Sequence, residues 1–335
     1  MTTRNLITDV NGVLVGNAED QSVRTGVTAL LFETPTIASC HVMGGAPGTR
    51  ETDLLSPENT VEEIHGLFLS GGSAFGLDAA AGIQKVLQDQ GKGFEIGPHK
   101  IPIVPGAILF DLINGGDKDW KDYSPYRDLG YEAAKSASKQ FDIGSTGAGY
   151  GALVAGLRGG LGSASAKLDN GATIGALVAV NALGSPIIDD TGHFHAAAFE
   201  QNKEFGGLGY PHPMPKNADG LHIKFRDHLQ AGTNTTVAVI ATDMALTKAE
   251  AKRLAVVAHD GFARALWPAH TPLDGDMVFA ISTGTKPRPK NMNEWIDLCA
   301  LASSTMSRAI ARGIYEASDS DDPNFPSWKQ KFGKG

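Results

Sequence analysis

The sequence predicts an α+β protein. Short, mostly apolar runs with β-branched members alternate irregularly with longer Ala- and Leu-rich runs of helical spacing, and no strict strand–helix–strand repeat joins them. The chain also carries 41 glycines in 335 residues. These cluster beside the apolar runs, at Gly44-Gly45, Gly71-Gly72, Gly115-Gly116, Gly144 to Gly151, Gly156 to Gly162 and Gly206 to Gly209. Glycine there allows positive φ and close backbone approach, which suits both tight turns and the backbone walls of a pocket.

Taken in order, Val27 to Phe32 and Ile37 to Val42 read as strands, and Gly66 to Leu69 as a short one. The Ala74 to Gln88 run has helical spacing, with Ser73 placed to cap it. Pro102 to Leu112 reads as extended and Tyr126 to Gln140 as helical. Gly-rich loops then alternate with apolar strands at Thr173 to Val180 and Pro186 to Asp189. Glu200 to Gln230 is polar, carries Pro211, Pro213 and Pro215, and reads as a long surface loop or linker. Val237 to Thr242 is a buried strand by length and composition. Thr247-Lys248-Ala249-Glu250 is a capping box, and the helix it opens places Leu254, Val257, Ala258, Gly261, Phe262 and Ala265 on one face. Met277 to Ser282 is another buried strand, Trp295 to Glu316 contains the last helix, and the tail after Ala317 is expected to be loosely held.

Composition removes some function classes. The formal net charge is -8, with 29 Lys plus Arg against 37 Asp plus Glu. A nucleic-acid binder would need a concentrated basic stripe instead. No apolar run reaches the roughly 18 residues of a membrane span, and the start of the chain has no apolar core of a signal peptide. Cys40 and Cys299 are the two cysteines, in mostly apolar stretches, and read as reduced thiols rather than a disulfide. A cytoplasmic location is the expectation.

One local pattern carries chemistry. Asn234-Thr235 stands between the polar segment and a buried strand. A hydroxyl on the first residue of a strand can attack the carbonyl before it, giving an ester that water opens to a new N-terminal Thr. Its α-amine, with a pKa of about 7.7–8.0, is a general base on the same residue as the nucleophile. By itself Asn-Thr-Thr before a strand also reads as a turn. Asp274-Gly275-Asp276 before the next strand likewise reads as a turn, Lys167 as a solvated lysine and Asn181 as a turn asparagine.

Four segments change the weighting. They are Gly44-Gly45-Ala46-Pro47-Gly48-Thr49-Arg50-Glu51-Thr52, Leu69-Ser70-Gly71-Gly72-Ser73-Ala74-Phe75-Gly76-Leu77, Gly232-Thr233-Asn234-Thr235-Thr236, and Asp274-Gly275-Asp276 with Val278-Phe279-Ala280. In this order, over roughly residues 5 to 315, the sequence resembles the DmpA-type aminopeptidases, β-peptidyl aminopeptidases and nylon-oligomer hydrolases, which are self-processing N-terminal-nucleophile hydrolases. The resemblance implies a single domain over 1–335 with a four-layer αββα sandwich, the fold shared with ornithine acetyltransferases. It implies cleavage into an α chain, 1–234, and a β chain, 235–335, and hydrolysis of short peptides or amide oligomers through an acyl-enzyme on Thr235. Asn181 matches the oxyanion donor, Lys167 a lysine near the nucleophile, and Asp274 and Asp276 the acidic pair of the nylon hydrolases, where the aminopeptidase branch has Ser-x-Glu. One carboxylate would hold the Thr235 amine and the other face the substrate. Gly71, Gly72 and Phe110 would border the pocket, Phe110 replacing a tyrosine of some members. Neither a metal nor an organic cofactor is implied, and the assembly expected is a homo-oligomer, a dimer of dimers.

Rival readings are an acyl transferase like the self-cleaving glutamate N-acetyltransferases, whose Ala-Thr-Met context is missing, and a non-catalytic protein of the same fold. Ser73 lacks the Gly-x-Ser-x-Gly of a nucleophile elbow. Gly147, Gly149 and Gly151 do not fit a dinucleotide loop. Asp189, Asp190, His193 and His195 read as a solvated polar loop before they read as metal ligands.

Overall fold

A computed structural model describes residues 3–226 and 234–333. Nine strands form one hydrogen-bonded sheet: β1 (Val13–Asp20), β2 (Thr25–Val42), β3 (Thr49–Arg50), β4 (Glu63–Ser70), β5 (Gly106–Ile108), β6 (Gly160–Lys167), β7 (Thr173–Asn181), β8 (Thr235–Met244) and β9 (Met277–Lys286). Their order is β6-β7-β8-β9-β2-β4-β5-β3, with β1 also on β2.

The long strand β2 turns this one sheet into a sandwich. Its first part pairs with β1, from Asp20↔Thr25 to Val13↔Phe32, and with β4. Its last part, Ile37 to Val42, pairs with β9. The two runs that the sequence reads as separate strands are one strand shared by two half-sheets. Alternation then sorts the side chains into three cores. Val27, Ala29 and Leu31 pack with Ile83, Ala133 and Ala134 of helices α1 (Ala79–Asp89) and α2 (Tyr126–Lys135). Leu30 and Phe32 meet Leu177, Val237, Val239 and Phe279 between the half-sheets. Ala238 and Ile240 face α3 (Lys248–Ala258) and α5 (Met292–Tyr315) through Leu254, Met306 and Ile310. Three apolar interfaces between four layers make the αββα arrangement.

Helix boundaries follow local chemistry. Thr247 Oγ1 accepts the Glu250 N–H and Glu250 returns to the Thr247 N–H, the expected capping box of α3. The helix stripe continues into α4 (Asp260–Ala263); Leu254, Ala258, Gly261, Phe262 and Ala265 are buried and Val257 is half-buried. Ser73 is not a cap. Its φ is +53° and its N–H donates to Leu109 O at 2.9 Å, so a 3-10 turn, Ser73–Asp78, precedes α1. The α2 helix stops at Lys135 rather than reaching Gln140, and Ile187 makes only an isolated bridge to Phe194 in place of a strand. Glycines let α5 lie directly on β6: a Cβ on Gly162 would come within 1.8 Å of Ala309 O.

Residues 200–226 form the mostly exposed loop the sequence predicts, anchored at a few points, whereas the tail expected to be loosely held is built in. In the polar segment, Glu204 receives Arg308 Nε at 2.5 Å and lies 3.6 Å from Arg312, both on α5. Residues 227–230 of that segment lie outside the described residues. After Ala317 the chain ends in a further helix, α6 (Trp328–Phe332). Trp328 is buried, donates Nε1–H to Gly192 O at 2.9 Å and packs on Phe194 and Tyr315. Trp328→Ala is therefore expected to cost about 3–5 kcal/mol, read as a lower midpoint in urea unfolding; an unchanged midpoint would mean the tail is loosely held after all.

Candidate active site

Thr235 is the first residue of β8, and its register partner across the antiparallel pair is Asn181, the last residue of β7. On the other side β8 runs parallel to β9, pairing Val237 with Met277. Asp274, Gly275 and Asp276 thus arrive beside the start of β8, and Asn234 bridges to Asp274. Sheet register alone brings Thr235, Asn181, Asp274 and Asp276 to one end of the half-sheet, and all four are buried.

At the Asn234–Thr235 bond, the Thr235 hydroxyl lies 2.5 Å from Asn234 O, and the Gly275 N–H donates to the same oxygen at 2.9 Å. Only glycine fits at 275: a Cβ there would sit 2.6 Å from Thr235 Oγ1 and 2.6 Å from Ala46 O. The two remaining residues of the motif, Gly232 and Thr233, lie outside the described residues.

Both carboxylates are engaged by neighbouring groups. Asp276 Oδ1 accepts the Thr236 N–H at 2.8 Å, while Oδ2 takes His270 through its N–H and Nδ1 at 3.1 and 2.9 Å. Asp274 accepts from Leu183 N–H and from the N–H and hydroxyl of Thr271. Burial, and then the charge of Asp276, push the Asp274 carboxyl above its usual range. Where one carboxylate was expected to hold the Thr235 amine, Asp276 holds the amide of Thr236, one residue further on. Behind Asp276, His259 packs its ring 4.9 Å from that of His270. Burial pushes His259 down to about 4, so it brings no charge near neutral pH.

The lysine is not where the sequence places it. Lys167, at the end of β6, is exposed and pairs with Thr173 at the start of β7, the far end from Asn181. Eight strand residues put it roughly 25 Å away. Lys224 occupies the site instead. It is buried, and its ammonium donates to Leu153 O at 2.7 Å, Asn181 Oδ1 at 3.0 Å and Asn181 O at 3.2 Å. Burial brings its pKa down to about 7, with Asp274 pulling the other way. Sequence reasoning missed it because Lys224 lies in the polar Glu200–Gln230 segment, read as a surface loop in which a lysine is expected to be solvated. Here Leu221 is exposed and the lysine buried.

Asn181 is held at both ends. Its Oδ1 accepts from Leu153 N–H and Lys224, and its Nδ2 donates one hydrogen to Phe110 O at 2.8 Å, the second having no acceptor among the described residues. Phe110, Asn181, Lys224 and Phe225 line a small space of about 10 Å³ with Asp111 and Leu153. Gly71 and Gly72 stand behind it rather than in its wall. Gly72 N–H donates to Asp111 Oδ1 at 2.7 Å, and a Cβ on Gly71 would reach Asp111 Oδ2 at 2.1 Å. Among the rival groups, Asp189 pairs with His222 and Asp190 with Lys331, while His193 Nδ1 meets Gly209 O. Both cysteines are free thiols, Cys40 buried and Cys299 partly so.

Comparison with known proteins follows the same lines. The profile of peptidase family S58 matches residues 5–324. An uncharacterized aminopeptidase of Mycobacterium tuberculosis is 38% identical, covering 93% of this chain and 94% of that protein. The 6-aminohexanoate-oligomer endohydrolase of Paenarthrobacter ureafaciens is 26% identical over 82% of this chain and 74% of its own. A beta-aminopeptidase from Burkholderia sp. superposes with a TM-score of 0.70 at 20% identity, covering 98% and 92% of the two chains. The L-aminopeptidase D-Ala-esterase/amidase of Ochrobactrum anthropi, described as a variant of the Ntn hydrolase fold, gives 0.68 at 20% identity, covering 98% and 94%. At that identity the structural likeness speaks for the fold.

Proposed function

Because the chain belongs to peptidase family S58, we propose that it cuts itself between Asn234 and Thr235 and then hydrolyses short peptides or amide oligomers with Thr235 as nucleophile. The observation that carries this reading is the Asn234 carbonyl oxygen, which has the Thr235 hydroxyl on one side and the Gly275 N–H on the other. Attack of Thr235 Oγ1 on the Asn234 carbonyl carbon places negative charge on that oxygen, where the Gly275 N–H already points. The C–N bond then breaks, the nitrogen takes the hydroxyl proton, and an ester links Asn234 to Thr235. Water opens the ester to the Asn234 carboxylate and a free Thr235 amine.

The same parts serve turnover. The amine takes the Thr235 hydroxyl proton as the oxygen attacks a substrate amide, the amine product leaves, and water releases the acyl group. The second N–H of Asn181 would meet the developing oxyanion, and Asp276 fixes the start of β8 through Thr236. Lys224, held on Asn181, the cross-strand partner of Thr235, takes the role expected of Lys167: its positive charge favours the neutral amine. The names of the relatives support aminopeptidase or aminohexanoate-oligomer substrates, and the processed α/β units would assemble as a homo-oligomer in the cytoplasm.

Intact-mass spectrometry of the purified protein is expected to show chains 1–234 and 235–335. A panel of L-peptides, β-peptides, D-amides and aminohexanoate oligomers should contain at least one that is turned over. Amide turnover by a chain that stays uncut would overturn the reading.

A further inference from the structure

Beside the small chamber at Asn181 lies a larger cleft of about 340 Å³ whose wall includes Arg24, Asn114, Tyr150, Gly151, Leu153 and Arg158. Asn114, Gly151 and Leu153 belong to both spaces. The partition between them is tied to the site: Leu153 donates its N–H to Asn181 and its carbonyl receives the Lys224 ammonium. A chain laid over this partition would have one end at the nucleophile's neighbours and the other in the cleft.

Two guanidiniums and three carboxylates border the cleft. Arg158 is half-buried, and its guanidinium donates to Tyr150 O at 2.8 Å, Asp319 O at 3.2 Å, and to the hydroxyl and carbonyl of Ser318. None of these acceptors is a carboxylate. Arg24 pairs with the carboxylate of Asp321, which is 72% exposed. Asp319 and Asp322 also border the cleft. Two guanidiniums therefore meet one loosely placed carboxylate in direct contact, among the described residues. Asp321 also favours the charged form of Arg158, and Arg158 the ionised form of Asp321, so the two arginines share that one exposed carboxylate, and the planar fork of each fits a carboxylate.

We propose that Arg24 and Arg158 form a subsite for the terminal carboxylate of a short amide substrate, with the Asp321 carboxylate standing in it when no substrate is bound. This rests on the amide-hydrolase reading of Thr235 and adds the substrate class: short peptides or amino-acid oligomers with a free acid end, which must displace Asp321 to bind. A charge-assisted contact contributes about 1.5–3 kcal/mol, equivalent to a factor of ten or more.

The test uses whichever amide of the panel above is turned over, as the free acid and as its terminal carboxamide twin, with release of the first residue followed. Wild type is expected to favour the acid by about tenfold or more in kcat/KM, mostly through KM. Arg158→Gln and Arg24→Gln should bring the acid-to-amide ratio toward one. The exposed Asp321→Asn, which folds without rearrangement of the core, should widen the ratio by emptying the subsite. A processed wild-type enzyme that treats the twins alike overturns the subsite and leaves the Thr235 mechanism standing. So does an unchanged ratio in both arginine variants. A single uncut wild-type chain overturns the Thr235 reading itself.

Discussion

Thr235→Ala is expected to remain one uncut chain of 335 residues, with amide turnover reduced on the order of a millionfold, the scale on which deletion of a nucleophile acts. One oxygen atom serves two reactions here. In the uncut chain the Thr235 hydroxyl lies 2.5 Å from the Asn234 carbonyl oxygen; without it, nothing displaces the Asn234–Thr235 amide, and the α-amine that would act as base is never released. The backbone should tolerate the change. Thr235 is small, its neighbours Val237, Val239 and Ala241 keep the middle core, and pairing with Asn181 is main-chain. Thr235→Ser separates chemistry from packing. Serine keeps the hydroxyl but loses the β-branch that restricts χ1, so it should still cut, more slowly. Intact mass and a thermal melt on both variants decide the matter. A cut, active Thr235→Ala would end the mechanism, whereas a folded, uncut alanine variant beside a cut serine variant is the expected pair.

How much of this was readable beforehand depends on what sets each position. Strand and helix identity follows periodicity, so Val237 to Thr242, Met277 to Ser282 and the Thr247 capping box stand where the pattern puts them. The unity of β2 was hidden because Glu33, Thr34 and Pro35 interrupt its apolar runs while the backbone stays extended. The meeting of residues next to strand ends was legible, because register carries Asn181, Thr235 and the Asp274–Asp276 turn together once the strands are right. Lys167 and Lys224 mark the limit. Sequence distance from a motif says nothing about which end of a hairpin a residue reaches, and a lysine buried by oxygens of Leu153 and Asn181 leaves no trace in hydrophobic periodicity. Trp328 failed to show for a similar reason: its partners Gly192, Phe194 and Tyr315 lie far back in the chain.

Lys224→Met is expected to lower kcat/KM at least about a hundredfold, the scale of misplacing a catalytic group by an ångström, and to remove an ionisation near pH 7 from the rate profile. Methionine keeps the length of the stem but not the ammonium that fixes Asn181 Oδ1, so the amide of Asn181 is free to turn away from the nucleophile. Stability gives a second readout with a definite sign. The folded lysine titrates near 7 and the unfolded one near 10.5. Between those values the unfolded chain holds a proton that the folded chain has released. Folding stability should therefore rise with pH across that window, by up to about 1.4 kcal/mol per unit, and the cost of the buried charge should be fully felt below about pH 7. The group facing the ammonium is Asp274, whose charge favours the protonated lysine and softens the slope without reversing it. In Lys224→Met this rise should vanish, and the stability lost with the three hydrogen bonds of the ammonium should be smallest below pH 7, where wild type itself bears the cost of a buried cation. A purely structural lysine would lose stability on replacement and leave the rate profile of the folded variant alone; a positioning lysine loses rate and its pH dependence in protein that is still folded. Denaturant midpoints at several pH values, set beside kcat/KM over the same range, tell the two apart.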